Sequence, residues 1–176
     1  RAQDLQNVKL SISRDLRQRY GFNTVIDSTT DGLAVGDILD VQDEAFCAIT
    51  GLYYTKLSTG TKLTVATCGS RYYRLNGITS WNRISAPFTA GQNNQFVFTT
   101  ALDNVILTNN TDVPYQDDGT TLSTVNFTSL TSTSRPTAAK TVAFFKNYLV
   151  FGNTVEDGTR RATRLRWSNV GTITTW

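Results

Sequence analysis

Short apolar runs, each broken by polar or turn-forming residues, fill the chain from Phe46 onward. The clearest stretch is Thr141–Trp176. There an apolar run, the turn Lys146-Asn147, a second apolar run, a polar loop and a basic-and-aromatic segment follow one another. Period-two alternation bounded by turn residues predicts strands joined as hairpins. The same order occurs twice earlier. Lys62–Thr67 aligns with Asn104–Asn109 and with Tyr148–Asn153, so Leu63, Val105 and Leu149 correspond, at offsets of 42 and 44 residues. An apolar strand is predicted before each, at Leu52–Tyr54, Phe96–Phe98 and Val142–Phe145. Ser58-Thr59-Gly60, Leu102-Asp103-Asn104 and Lys146-Asn147 read as the hairpin turns. Third strands are predicted at Arg71–Leu75, Val113–Tyr115 and Thr163–Trp167. Gly77–Trp81 and Gly171–Trp176 close the first and third copies alike, with Val125-Asn126-Phe127 near that place in the middle one.

A period in the low forties with about four short strands per period is the pattern of propeller blades. One small sheet cannot bury both faces alone, and stacking sheets around an axis covers each face with a neighbour. The expected fold is therefore all-β, with β-propeller-like repeated antiparallel blades near 51–93, 94–140 and 141–176. The blade region as a whole runs over 23–176, after a polar lead-in at 1–22. Leu63/Val65, Val105/Leu107 and Leu149/Phe151 are expected to face between blades. The alternative is a plain β-sandwich. In the lead-in, alternation favours a strand over Asn7–Ser13, and Arg14, Arg17 and Arg19 make a basic flank. Thr24–Ile26 and Ile38–Val41 are further short strand candidates. With no Met, and a stop at Trp176 just after a strand-like segment, the chain is expected to be trimmed at one or both ends.

Composition agrees with this class. Charged residues make up 18 % and hydrophobic residues 39 %, and Thr, Ser, Asn and Gly fill the remainder, as pleated surfaces and turns require. A chain of 176 residues buries roughly 70 % of its unfolded surface, enough for a core without metal or disulfide. The net charge of +3 permits an acidic partner without demanding one. No apolar run is long enough for a membrane span, and the opening residues do not read as a signal peptide.

Candidate chemistry is sparse. The chain has no His, which excludes a Ser-His-Asp triad within it. Cys47 and Cys68 occur without a CxxC, so a zinc site lacks ligands. They read as two buried free thiols, with a disulfide as the alternative. Asp112–Gly119 holds an acidic cluster, but its spacing matches no calcium loop, and Asp117-Asp118-Gly119 reads as a turn. Glu44 and Glu156 are acids by type alone, the latter at a hairpin tip. No catalytic, cofactor-binding or metal-binding residue is assigned. The densest basic run is Arg160, Arg161, Arg164 and Arg166. Strand alternation puts Arg164 and Arg166 on one face and Leu165 and Trp167 on the other. We expect the apolar face inward and the basic face outward, as solvated or intrachain-paired arginines, with subunit-contact or channel-lining charges as the functional alternative. Tyr53, Tyr54, Tyr72, Tyr73 and Trp81 are candidates for sugar stacking, with core packing as their alternative use.

Several segments together resemble a known family. Leu16–Phe22, with Asn7 upstream, is similar to the signature Asn…Gly-x-Leu-x-x-Arg-Pro-Gly-Tyr of propeller-containing virion proteins of tailed phages. Arg19 and Gly21 match, and Tyr20 stands in place of the Pro. Leu63–Leu75 resembles that family's strand, Gly, Tyr-Arg-Leu blade. Leu107-Thr-Asn109 with Asp118-Gly119 resembles its Thr-Asn-Gly…Asp-Gly segment. Phe145–Asn153 and Arg164-Leu-Arg-Trp167-Ser168 resemble its Lys-Asn-Arg-Leu…Arg-Val-Arg-Trp-Ser segment. The nearest likeness is to the nozzle, or tail-hub, proteins of short-tailed phages. That resemblance implies a non-enzymatic, ring-forming tail subunit of the virion surrounding the DNA exit conduit. Its implied partners are other copies of itself, other tail or head–tail connector proteins and, transiently, viral DNA. It implies no cofactor. A carbohydrate- or host-receptor-binding propeller is the rival expectation.

Overall fold

Turn chemistry sets the hairpins. Leu102 and Asp103 both lie at positive φ (46° and 60°), as do Lys146 and Asn147 (48° and 65°) and Asp157 and Gly158 (48° and 67°). Two-residue loops of that kind match the right-handed twist of the strands they join. The structure, a computed structural model, describes residues 8–10, 16–18, 49–76, 80–85, 87–89 and 95–176. All regular structure among them is strand. Strands β1 (Val8–Leu10) and β2 (Leu16–Gln18) pair as a small antiparallel hairpin. Strands β3 (Ile49–Lys56), β4 (Lys62–Cys68), β5 (Arg71–Asn76) and β6 (Ser80–Ser85) form a first antiparallel meander. Strands β7 (Val97–Ala101), β8 (Asn104–Thr108), β9 (Tyr115–Asp117) and β10 (Leu122–Thr124) form a second. Strands β11 (Ala138–Phe145), β12 (Tyr148–Glu156) and β13 (Thr159–Trp167) form a third, of three strands.

The three meanders stack in chain order. Between the first and second sheets lie Leu63, Val65, Tyr72, Phe88, Phe96, Val105 and Leu107. Tyr53 stacks on Phe98 across this interface at 5.4 Å and 6°. Between the second and third sheets lie Ala101, Ile106, Val125, Phe127, Val142, Leu149 and Phe151. The middle strand β8 is therefore buried on both faces: Val105 and Leu107 point to the first sheet, and Ile106 to the third. This is a three-layer arrangement, so the two-sheet sandwich does not describe it. Among the described residues the sheets do not close into a barrel or a propeller.

Leu63, Val105 and Leu149 each sit second in the second strand of their sheet, and each is buried. Their facing differs. Leu63 and Val65 look toward the following sheet, whereas Val105, Leu107, Leu149 and Phe151 look toward the preceding one. The first copy is one residue out of phase. Its hairpin closes through the five residues 57–61, where the other two use two-residue turns. A one-residue slip exchanges the faces of a strand.

The strand ends also depart from expectation. The third strand of the second sheet begins at Tyr115, not at Val113. The Asn109 side chain accepts from the backbone amides of Thr111 and Asp112 in a turn, and Pro114 has no amide to give to a ladder. The fourth strand of that sheet is Leu122–Thr124, so Val125–Phe127 lies just beyond it. Among the described residues the third sheet has no fourth strand. Gly171 turns at positive φ (71°), and the tail joins through a single parallel bridge from Tyr148 to Thr172. Trp176 then folds back onto Phe127 and Phe151, with ring centroids at 5.0 and 5.4 Å. Trp81, its expected counterpart, instead packs on the outer face of the first sheet beside Ala66, Cys68 and Tyr73. Thr24–Ile26, Ile38–Val41, Arg14, Arg19, Glu44 and Cys47 lie outside the described residues. Cys68 is buried and disulfide-bonded, which corrects the free-thiol expectation.

Candidate interaction surfaces

The arginine-rich strand β13 is oriented opposite to expectation. Arg166 pairs with Phe151 in register and so shares the face turned to the second sheet, while Leu165 and Trp167 project from the outer face. The cause is Glu156, at the end of β12, whose side chain is 3 % exposed. Its carboxylate accepts from Arg164 Nη1 at 2.6 Å, from Arg166 Nε and Nη2 at 3.0 and 2.8 Å, and from the Thr154 hydroxyl at 2.7 Å. An unpaired buried carboxylate is costly, so it draws both guanidinium groups to its own side. Hydrogen bonds from Arg166, Thr154 and Arg164, with the Arg166 charge, hold the Glu156 carboxyl at about 2 against an ordinary 4.5, despite opposing desolvation. Arg166 is raised in turn, chiefly by its hydrogen bond to Glu156. Two cations meet one anion here, so the cluster keeps net positive charge.

Arg160 is also engaged within the chain. It donates to Asn110 Oδ1 at 2.7 Å and to Asn153 Oδ1 at 2.8 Å, tying the third sheet to the loop after β8. Asn153 stands in left-handed backbone (φ 54°) at a bulge in the β12–β13 ladder, which aims it at that arginine. Arg161 is solvent-exposed. Of the four candidate contact charges, three are thus partly occupied by intrachain bonds, and Arg161 is the one most available to a partner.

A second charged cluster, absent from the candidate sites above, joins the first two sheets. Asp117 is fully buried and accepts from Tyr72 Oη at 2.6 Å and from Arg74 Nε and Nη2 at 2.8 and 2.5 Å. Arg74 also reaches the Thr120 carbonyl at 3.0 Å. Burial, reinforced by the neighbouring carboxylate, pushes the Tyr72 hydroxyl far above the ordinary phenol range. The other members of the acidic stretch are turn acids, as expected. Asp118 accepts from the amides of Thr120 and Thr121, and Asp112 accepts from Thr89 and Asn109. Among the described residues no three potential metal ligands cluster, and no helix is long and apolar enough to cross a membrane.

The aromatic residues considered for sugar stacking are mostly used inside. Tyr72 and Tyr73 are buried, and Tyr53 lies against Phe98 and donates or accepts a hydrogen bond with Thr100 at 3.0 Å. Tyr54 is exposed, and Trp81 is half-buried.

Both outer faces of the stack are apolar. On the third sheet Phe145, Tyr148, Val150, Leu165 and Trp167 line one surface, with Leu165 58 % and Trp167 61 % exposed. On the first sheet Ile49, Leu52, Ala66, Cys68, Tyr73 and Trp81 line a hollow of about 200 Å³, in which Ala66, Cys68 and Tyr73 are buried and Ile49 and Leu52 are exposed. Contiguous exposed apolar patches mark contact sites more often than scattered single residues do. No protein-family model, curated protein or solved structure matches the chain.

Proposed function

We propose that the chain is a non-enzymatic structural subunit of a tailed-phage tail, similar to nozzle or tail-hub proteins, with propeller-like blades. It forms a ring around the conduit through which DNA leaves the particle. The observation that carries the reading is the stack itself: three consecutive meanders packed face to face, with an exposed apolar surface on the outer side of the third. Such a unit is rigid and needs neighbours, which suits a building block. The ordered likeness of Leu16–Phe22, Leu63–Leu75, Leu107–Gly119 and Phe145–Ser168 to tail proteins supplies the virion part of the reading. Other copies of the chain, adjoining tail or connector proteins and passing DNA are its partners, and exposed positive charge at Arg161 suits contact with an acidic surface.

Electron microscopy of the purified protein, followed by antibody labelling of phage particles, tests this. Rings or tubes in the first and label at the tail in the second are expected. A protein that stays a dispersed monomer, and binds glycans saturably through Tyr54, would replace the reading with receptor binding.

A further inference from the structure

A hollow of about 460 Å³ lies where three segments meet: Val113 ahead of β9, Thr124–Phe127 at the end of β10, and Arg135–Thr137 ahead of β11. Backbone hydrogen bonds strap its walls. The Val125 amide donates to the Pro114 carbonyl at 2.8 Å, and the Thr137 amide and hydroxyl donate to the Val155 carbonyl at 2.8 and 3.2 Å. The Arg135 amide closes a turn on the Thr131 carbonyl at 3.1 Å. Val113, Val125, Phe127 and Pro136 supply an apolar lining, and Phe127 is itself packed on Phe151 and Trp176. Thr124, Asn126 and Arg135 supply a polar one. All three are exposed, and none of their side chains is hydrogen-bonded or ion-paired among the described residues. Arg74, Arg160, Arg164 and Arg166, by contrast, all bond within the chain. No carboxylate lines the hollow.

We propose that this hollow binds a sugar acid of the hexuronate class, with the ligand carboxylate on Arg135. Each part of the lining has its counterpart in such a ligand. The guanidinium presents paired N–H donors in the fork geometry that a carboxylate accepts. The Asn126 amide and the Thr124 hydroxyl can each donate and accept, which suits ring hydroxyls. The apolar lining suits the C–H face of the ring. The volume falls within the roughly 300–1,000 Å³ of small-ligand sites, which pair apolar walls with a few placed polar groups. A fatty acid would leave Asn126 and Thr124 without partners, and an inorganic anion would leave the apolar walls wet. One cation with no neighbouring acid favours a single negative charge over a neutral sugar. The inference goes beyond the proposed function and depends on neither its ring-forming nor its virion part.

Calorimetric titration of the full chain with methyl glucuronide and methyl glucoside tests it, with acetate as the charge alone. The two sugars differ in the carboxylate. The glucuronide is expected to bind saturably, once per chain, and roughly tenfold or more tighter than the glucoside, the ratio that a charge-assisted pair supplies. Acetate is expected to bind more weakly than the glucuronide. Arg135→Ala should bring the glucuronide down to the level of the glucoside and leave the glucoside unchanged, whereas Asn126→Ala should weaken both. Both positions are exposed, so each variant is expected to fold, with circular dichroism as the check. A glucuronide that does not bind, or one whose binding survives Arg135→Ala unchanged, would overturn the site. Acetate as tight as the glucuronide would reduce it to a bare anion site, and a glucoside as tight would remove the role of Arg135; either result overturns the assignment. Rings without glucuronide binding would refute this site and leave the tail reading intact. Glucuronide binding by a chain that forms no ring would do the reverse.

Discussion

Replacing Glu156 by Gln keeps the side-chain shape and one acceptor for Thr154 while removing the charge that Arg164 and Arg166 share. The interval between the ordinary carboxyl value of 4.5 and the value of about 2 in the folded chain corresponds to about 3 kcal/mol favouring the carboxylate. Arg164 is 42 % and Arg166 27 % exposed, and water screens part of their attraction, which leaves about 2 kcal/mol as the working figure. Because folding depresses this carboxyl, the stabilisation is complete above the ordinary value of 4.5 and drains away as the pH falls toward about 2. Urea unfolding of wild type and Glu156→Gln across that range reads the effect. At neutral pH the variant is expected to be less stable by about 2 kcal/mol. The gap should narrow steadily below the ordinary carboxyl value and nearly close at the acid end. Other carboxylates titrate alike in both proteins and cancel in the difference. A gap that is independent of pH, or no gap at neutral pH, would refute the claim that Glu156 organises the arginine strand.

Asp117→Asn should cost more, about 3–5 kcal/mol in the same assay, because it leaves Arg74 unpaired between two sheets. Tyr72→Phe, which removes one donor to Asp117, should cost about 1–3 kcal/mol. A Cβ on Gly51 would meet Phe98 at 2.5 Å and Phe96 and Thr67 at 2.8 Å, so Gly51→Ala should destabilise by about 1–3 kcal/mol, seen as a lower Tm. Ile106→Ala should cost about 2–5 kcal/mol. A small effect there, with Val105→Ala still costly, would mean that β8 is buried on one face alone.

Strand pairs and their order were legible because turn residues and period-two alternation are local signals. Lys146-Asn147 between two apolar runs dictates a two-residue hairpin whatever surrounds it. The side toward which each strand faces was not legible. Leu63 aligns with Val105 by letters, yet the longer loop at 57–61 turns it to the opposite neighbour. Leu165 and Trp167 were assigned inward because they are apolar. Alternation defines two faces without saying which is covered, and the buried acid at Glu156 decided the matter. Asp117 reads as one more turn acid, since its partners Tyr72 and Arg74 lie more than forty positions away on another sheet. An arginine and a tyrosine alternating with apolar residues in Arg71–Leu75 were the available signal, because a buried strand carrying a cation needs an anion from elsewhere. Trp176 was placed in a closing strand by analogy with Trp81. Instead the chain turns at Gly171 and the ring fills the gap between Phe127 and Phe151.

The most direct measurement is cryo-electron microscopy of the native assembly at a resolution that separates strands. It should show Val105 and Ile106 buried against different neighbouring sheets, in copies arranged around a closed ring. Separate monomers, or a β8 covered on one face alone, would contradict the account.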